Sequence, residues 1–284
     1  LPGLLTGSGA GMAGRWMAVG KSPLTGGWGD ANCGGTLGPE LKACGLDGVF
    51  FHGISPAPVY LRLRDEQAEL LPAADLWGLD THQTEKTLRQ RENDASVACI
   101  GPAGEKLARI AGIVNDYGRL AARSGLGAVM GSKRLKALVV SGSGAAPLAH
   151  PQELQRLNQK FLRWVRFQPP FMNGKMMSWL GWLMGKMPLQ LRLDGMLYKV
   201  FLSKWGTIAM NQMSVEMGDA PVRNWGGSNH DYGLKTSKSI NPDQIIAREE
   251  RKYHCAACPL GCGGLCRSAD GGTVHKPEYE SVTA

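Results

Sequence analysis

Arg251-Lys-Tyr-His-Cys255-Ala-Ala-Cys258-Pro-Leu-Gly-Cys262, near the end of this 284-residue chain, places three cysteines at C-x2-C-x3-C spacing, with Cys266 just beyond. Thiolates bind soft metals and iron–sulfur clusters, and a short loop lets several of them converge on one centre. Pro259 stiffens this loop, while Gly261, Gly263 and Gly264 let backbone N–H groups approach cluster sulfurs. A cubane needs four ligands, so the stretch supplies three and a fourth lies elsewhere. Zinc is the weaker reading, because no second cysteine pair follows at finger-like spacing. Buried structural thiols are a third reading, set against three cysteines packed beside Arg251 and His254.

Working outward, the composition is that of an ordinary globular protein, with 43% hydrophobic and 20% charged residues. The length allows one large domain or two modest ones. The net charge of +8 comes from scattered basic residues without a Lys/Arg run interleaved with aromatics. That pattern disfavours nucleic acid and fits a basic docking face for an acidic electron carrier. Seven cysteines without a secretory leader point to a reducing, cytoplasmic compartment, where thiols serve metals. No apolar run reaches the length of a membrane-spanning helix. The chain opens at Leu1-Pro2-Gly3 and closes at Tyr279-Glu280-Ser281-Val282-Thr283-Ala284, inside an element; a fragment or processed piece is expected.

Residues 1–50 are dense in glycine, which reads as turns and close backbone approach. The expected strands are Arg15–Val19, Asp47–Gly53, Pro58–Arg64, Ser96–Ile100 and Leu135–Ser141. A short helix is expected over 39–45, closed by Gly45, and a longer one from Asp80 or Thr81 to about Glu92. An amphipathic segment is expected over 105–115. Gly125-Leu-Gly127-Ala-Val-Met-Gly131 misses the dinucleotide-binding spacing and lacks the acidic residue that would complete such a unit. Gly142-Ser-Gly-Ala-Ala-Pro147 is the domain boundary. Beyond it, helices are expected from Pro151, through 206–213, and over 241–254, the last delivering the cysteine loop. Between them, 164–205 is crowded with Met172, Met176, Met177, Met184, Met187 and Met196 and with Trp164, Trp179, Trp182 and Trp205. This reads as a buried helical hairpin or as a membrane-surface or partner-docking patch.

Taken together and in order, several stretches resemble the tungsten- or molybdenum-dependent aldehyde:ferredoxin oxidoreductase family. They are Gly14-Arg15 with Lys21-Ser-Pro-Leu-Thr-Gly26, Asn32-Cys-Gly-Gly35 with Glu40-Leu-Lys42, and Ile100-Gly-Pro-Ala-Gly-Glu105. Then come Asn115-Asp116 with Gly125-Leu-Gly-Ala-Val-Met-Gly-Ser-Lys133, the cysteine stretch, and Pro277-Glu-Tyr-Glu280-Ser281. The resemblance implies an α+β fold. A two-sheet β N-terminal domain over 1–146, truncated at its start, would carry the metal–pterin site. Residues 147–284 would begin a largely helical domain holding the iron–sulfur cysteines.

By the same resemblance, two pterins hold one tungsten or molybdenum beside a [4Fe–4S] cluster on Cys255, Cys258 and Cys262, whose fourth ligand falls past Ala284. Arg15 bridges cluster and pterin; Asn32 and Gly34 form a pterin-phosphate loop. Backbone carbonyls there and around Arg119, Leu120 and Ala121 hold a Mg²⁺ joining the pterin phosphates, an ion suited to hard oxygen ligands. Leu120, Arg123 and Ser124 stand where the family more often has small residues, and Cys33 reads as packing. Glu280 is the proton-transfer residue, with Glu278 as its rival; His254 and His275 read as structural. The implied function is oxidation of a small aldehyde to a carboxylate, electrons passing through the cluster to ferredoxin or a redox partner subunit, in a homodimer. The alternatives are a benzoyl-CoA reductase-like subunit and a non-catalytic iron–sulfur or zinc-stabilised module.

Overall fold

The computed structural model describes residues 1–186, 195–231 and 240–284, without the side chains of 196 and 197. Two compact units divide the chain: Leu1–Asn158 with Cys255–Cys258, and Gln159–His254 with Pro259–Ala284.

The first unit begins with an antiparallel hairpin of β1 (Trp16–Lys21) and β2 (Trp28–Cys33), in the register Trp16↔Cys33 to Lys21↔Trp28. Helix α1 (Leu37–Ala43) follows, and Gly45 closes it at φ +74°. Next come β3 (Val59–Arg64), β4 (Gln67–Pro72), α2 (Thr81–Arg91), β5 (Ser96–Cys99) and α3 (Pro102–Glu105). Then follow β6 (Ile113–Asn115), β7 (Arg119–Ala121), α4 (Leu126–Ser132) and β8 (Leu135–Ser141). Six strands form one sheet in the order β4-β3-β8-β5-β6-β7, with β3 and β8 parallel and the other pairs antiparallel.

The strand period of two sorts side chains between two cores. Val97, Cys99, Ala137 and Val139 pack with Leu76 and Leu88 on one face. Ala98, Ile100 and Val140 pack with Trp16, Leu37, Leu41 and Leu126 on the other. Lys136 is the polar exception in the central strand. Its side chain is wholly buried, reaching the Glu105 carboxylate and the Leu79 carbonyl oxygen at 2.9 Å. The glycines of 125–131 meet backbone rather than a nucleotide. A Cβ at Gly125 would strike the Arg109 carbonyl oxygen, and one at Gly131 that of Gly104.

The second unit takes in the second half of α5 (Pro151–Arg166), then α6 (Gly174–Lys186), α7 (Gly195–Lys204), α8 (Asn211–Met217) and α9 (Pro242–Ile246). A three-stranded antiparallel sheet of β9 (Glu249–Tyr253), β10 (Gly263–Arg267) and β11 (Thr273–His275), with β10 central, precedes α10 (Tyr279–Thr283). Its core joins Met172, Met177, Phe201, Trp205, Ile208 and Met213. Trp205 is fully buried and donates from Nε1 to Asp243 at 2.8 Å. Of the residues expected to crowd this region, Met187 and the Met196 side chain lie outside the described residues. Trp164 and Trp179 are exposed rather than buried.

Four sequence expectations fail. Residues 47–53 form no strand. Val49 and Phe51 do pack against the core while Phe50 is exposed, but the backbone there has no partner strand. The segment 105–115 is not one amphipathic element: Leu107 turns left-handed at φ +59°, and only Ile113–Asn115 is regular. Gly206, at φ +76°, ends α7, so Thr207–Met210 is a separate 3-10 turn before α8. Residues 241–254 hold one turn of helix, after which β9 delivers the cysteine loop. Glu-Glu-Arg-Lys is a strong helix former in isolation, but pairing of Lys252 with Gly264 and Tyr253 with Gly263 overrides it. Among the described residues, no helix is long and apolar enough to cross a membrane.

Candidate metal–pterin and cluster site

The site in the first unit is built where β1 starts and β2 ends. Register pairs Trp16 with Cys33, so Arg15 stands beside the Gly34-Gly35 corner. The Trp16 indole donates to the Gly34 carbonyl oxygen at 3.2 Å in a buried contact, pinning the corner to the core. The Arg15 guanidinium donates to the Asn32 side-chain oxygen, and from its other arm to the Asn32 carbonyl oxygen at 3.2 Å. A planar fork held this way is pre-oriented, with further N–H groups left to point elsewhere.

The cysteine loop docks on this corner through its backbone. Met12 N–H donates to the Ala257 carbonyl oxygen at 2.8 Å, and Ala256 N–H to that of Gly35 at 3.2 Å. Within the loop, Cys258 N–H returns to the Cys255 carbonyl oxygen at 3.0 Å, and Ala257 takes φ +54°. Glycine makes the approach possible. A Cβ at Gly14 would overlap the Ala256 carbonyl oxygen, and one at Gly34 would overlap the Cys255 sulfur while lying 3.4 Å from Arg15 NH1. The Cys255 thiol, the Arg15 guanidinium and the Asn32–Gly35 turn therefore share one spot.

A polar layer supports the corner. Asp116 accepts from Thr36 N–H at 2.8 Å, from the Thr36 hydroxyl at 2.9 Å and from Arg89 at 3.0 Å. Arg89 also bonds Glu85 at 3.1 Å, whose other oxygen accepts Tyr117 N–H at 2.7 Å. Burial raises the Glu85 pKa despite these donors. Gly35, at φ +100°, has its α-carbon against the Asp116 carboxylate and Asn115, with Arg119 Cδ 3.2 Å from where a Cβ would stand. Arg119 is therefore brought to the same corner. Ala121 is buried beside it in β7, whereas Leu120 is exposed. Cys33 is buried and donates to Asn115 Oδ1 at 3.1 Å. Burial pushes its thiol up to about 12 against the opposing pull of Arg15 and Arg119, so it is a packing group rather than a thiolate ligand. Ser124 holds the neighbouring turn by donating to the Asp30 carbonyl oxygen at 3.1 Å.

In the second unit, Cys262 is half-buried and its carbonyl oxygen lies against Gly206. Glu278 accepts from the Thr207 hydroxyl, so of the two carboxylates in Pro277-Glu-Tyr-Glu280 this is the one the fold engages. Glu280 is exposed on the first turn of α10. Tyr253 lays its ring over Gly263 and its hydroxyl is 2.9 Å from His275 Nδ1, while the His254 ring packs on Gly261. Both histidines are exposed at the surface, each with one ring face or nitrogen against a neighbour.

Among the described residues, no three His, Cys, Asp or Glu side chains stand close enough to hold a single metal ion. A cubane poses a different demand, since each thiolate meets its own iron. The first-unit corner fits that demand in its chemistry: two half-buried thiols on a tight turn, a glycine recess against one sulfur, and an oriented guanidinium. Asn115-Asp116 carries no role that its local sequence announces. Asp116 sets the corner, and its only sequence signal was its place ahead of a Tyr-Gly turn.

Residues 1–142 match the family described as aldehyde ferredoxin oxidoreductase, N-terminal domain, and residues 190–284 match domains 2 and 3 of that enzyme. The tungsten-containing aldehyde ferredoxin oxidoreductase of Pyrococcus furiosus is 36% identical over 99% of this chain, and that of Thermococcus kodakarensis 34% identical over 100%. In both cases the chain spans 42% of the relative's length. The WOR-like subunit of a P. furiosus aliphatic sulfonate oxidoreductase is 34% identical over 55% of the chain and 27% of its own. Among solved structures, the BamBC active-site complex of benzoyl coenzyme A reductase, bound to 1,5-dienoyl-CoA, has a TM-score of 0.70 at 26% identity. That match covers 96% of this chain and 39% of the other.

Proposed function

Since the chain belongs to the aldehyde ferredoxin oxidoreductase family, we propose that it is part of an enzyme oxidising small aldehydes to carboxylates at a tungsten– or molybdenum–bis-pterin centre. Electrons would leave through a [4Fe–4S] cluster to ferredoxin or a partner subunit. The observation that carries this reading is the docking of Cys255–Cys258 on Met12 and Gly35, either side of Arg15, by two backbone hydrogen bonds, with glycine facing the Cys255 sulfur.

The reaction adds water to the aldehyde carbon and yields a carboxylate, two electrons and three protons. When bound, the metal–pterin supplies the two-electron oxidation and the cluster the one-electron exits. Cys255, Cys258 and Cys262 would hold the cluster as thiolates. Arg15, aligned by Asn32, would donate its remaining N–H groups to cluster and pterin acceptors. The carbonyl groups of Asn32, Gly34 and the Arg119-Leu120-Ala121 stretch would offer hard oxygen ligands to a Mg²⁺ accompanying the pterins. Glu280 receives a proton from the water that adds to the aldehyde, with its exposed carboxylate as acceptor. Residues 1–146 form the pterin-binding domain, and 147–284 begin the helical one.

The likeness to BamBC favours a second reading, reduction of an aromatic acyl-CoA. Metal analysis and turnover of the full-length protein test both. Tungsten or molybdenum together with iron, and carboxylate formed from aldehyde, support the first reading; dienoyl-CoA formation without aldehyde oxidation supports the second. Zinc alone would overturn both in favour of a structural module. Cys258→Ser is expected to abolish cluster absorbance, and unchanged iron content would remove that ligand assignment. Glu280→Gln is expected to retain metal and lose most turnover; normal turnover would remove Glu280 from the mechanism.

A further inference from the structure

The stretch 154–186 stands apart in both charge and exposure. It carries Arg156, Lys160, Arg163, Arg166, Lys175 and Lys186 and no acidic residue, in a chain that elsewhere mixes both signs. It falls entirely between the two family matches, which end at 142 and resume at 190. Helix α5 buries only Val165. Large rings stand in solvent along this stretch: Trp164 is 60% exposed, Phe167 61%, Phe171 71% and Trp179 52%. Most exposed hydrophobics need no explanation singly, but four rings among cations in one segment do.

Their spacing is ordered. Lys160 and Arg163 lie three apart on α5, as do Phe161 and Trp164, so a basic stripe runs beside an aromatic one. The end of α5 is also fixed. Lys199 donates to the carbonyl oxygens of Trp164 at 2.7 Å and Val165 at 2.9 Å, and to that of Phe167. The Phe167 ring lies 5.7 Å from its ammonium. Trp164 and Phe167 are thus displayed from a backbone that a buried lysine ties down, not from a fraying end.

We propose that this face of the second unit is an anionic-membrane docking surface, lying on the bilayer rather than crossing it. Rings of this type bury at the headgroup boundary, while Lys and Arg on the adjoining stripe meet anionic headgroups. From Leu154 to its end α5 carries charge of one sign, which commits the occupant to an anionic surface. An acidic carrier protein would be served by the charge without needing four solvent-exposed rings.

The test is co-sedimentation of the full-length protein with phosphatidylcholine vesicles, with and without phosphatidylglycerol. The protein should partition onto the mixed vesicles only, and be released near 1 M salt, where charges more than about 3 Å apart are screened. The variant K160Q/R163Q/R166Q should lose binding by roughly a hundredfold, the product of three headgroup attractions. Trp164→Ala should weaken binding while leaving the circular dichroism spectrum unchanged. Failure of the wild type to partition, equal binding to neutral vesicles, or wild-type binding by the triple variant would each overturn the proposal. So would a wild-type dimer that Trp164→Ala converts to monomer, because the face would then meet a second copy. These readouts involve no turnover, so they stand or fall apart from the redox reading.

Discussion

The corner that receives the cysteine loop and the helical stretch around α5 spend their residues in opposite ways. At the corner, glycine stands where backbones meet, and charged groups nearby are paired: Asp116 with Thr36 and Arg89, Arg15 with Asn32, Glu85 with Tyr117 N–H. Along α5, large rings are kept and left uncovered. A place that must position sulfur to within a fraction of an ångström is built from glycine and short hydrogen bonds. A place that meets a deformable surface has no such requirement.

Mutations should separate the two. The largest loss is expected beneath the corner's sheet: Glu105→Gln leaves the wholly buried Lys136 without its counter-charge, at about 3–5 kcal/mol in chemical unfolding. Asp116→Ala strands the Thr36 donors and Arg89 and should cost about 2–3 kcal/mol, with iron content of the purified enzyme falling as the corner loosens. Gly34→Ala forces a methyl onto the Cys255 sulfur and should cost about 1–3 kcal/mol, with a larger fractional loss of iron than of fold. Wild-type iron in that variant would break the contrast. Trp164→Ala on α5 should stay within about 0.5 kcal/mol of wild type.

Two titrations sharpen the same contrast. Burial raises the Glu85 pKa above its unfolded value, so the folded state holds the proton more tightly. Its contribution is fully present below the unfolded pKa and is lost as pH rises through the folded one. Glu85→Gln should flatten that decline in a stability–pH curve measured from about pH 4 upward. At pH 8, alkylation of the folded, metal-free protein should label the half-buried Cys255 and Cys258 and spare Cys33, whose thiol is held at about 12. Labelling of Cys33 at their rate would contradict its place in the core.

Much of the corner was legible in advance because its signals are local. Glycine density before residue 50, the C-x2-C-x3-C spacing and the Asp80 cap each act within a few residues, and Asp80 does accept Gln83 N–H at 2.7 Å. What misled was pairing at a distance. Val49 and Phe51 alternate as a strand would but lie beside no partner, while Glu249–Tyr253 reads as helix and is drawn into a strand by Gly263 and Gly264. The exposed β4 went unread because Gln67–Pro72 lacks the apolar face that marks a half-buried strand.

From sequence alone came the α+β class and the family, because spacing and composition are properties of the chain itself. Only the folded molecule decided that Asp116 organises the corner, that Glu278 rather than Glu280 is bonded into its turn, and that Trp164 faces solvent. Each of those outcomes depends on a neighbour more than thirty residues away, and burial and hydrogen bonding are decided by which such neighbours arrive.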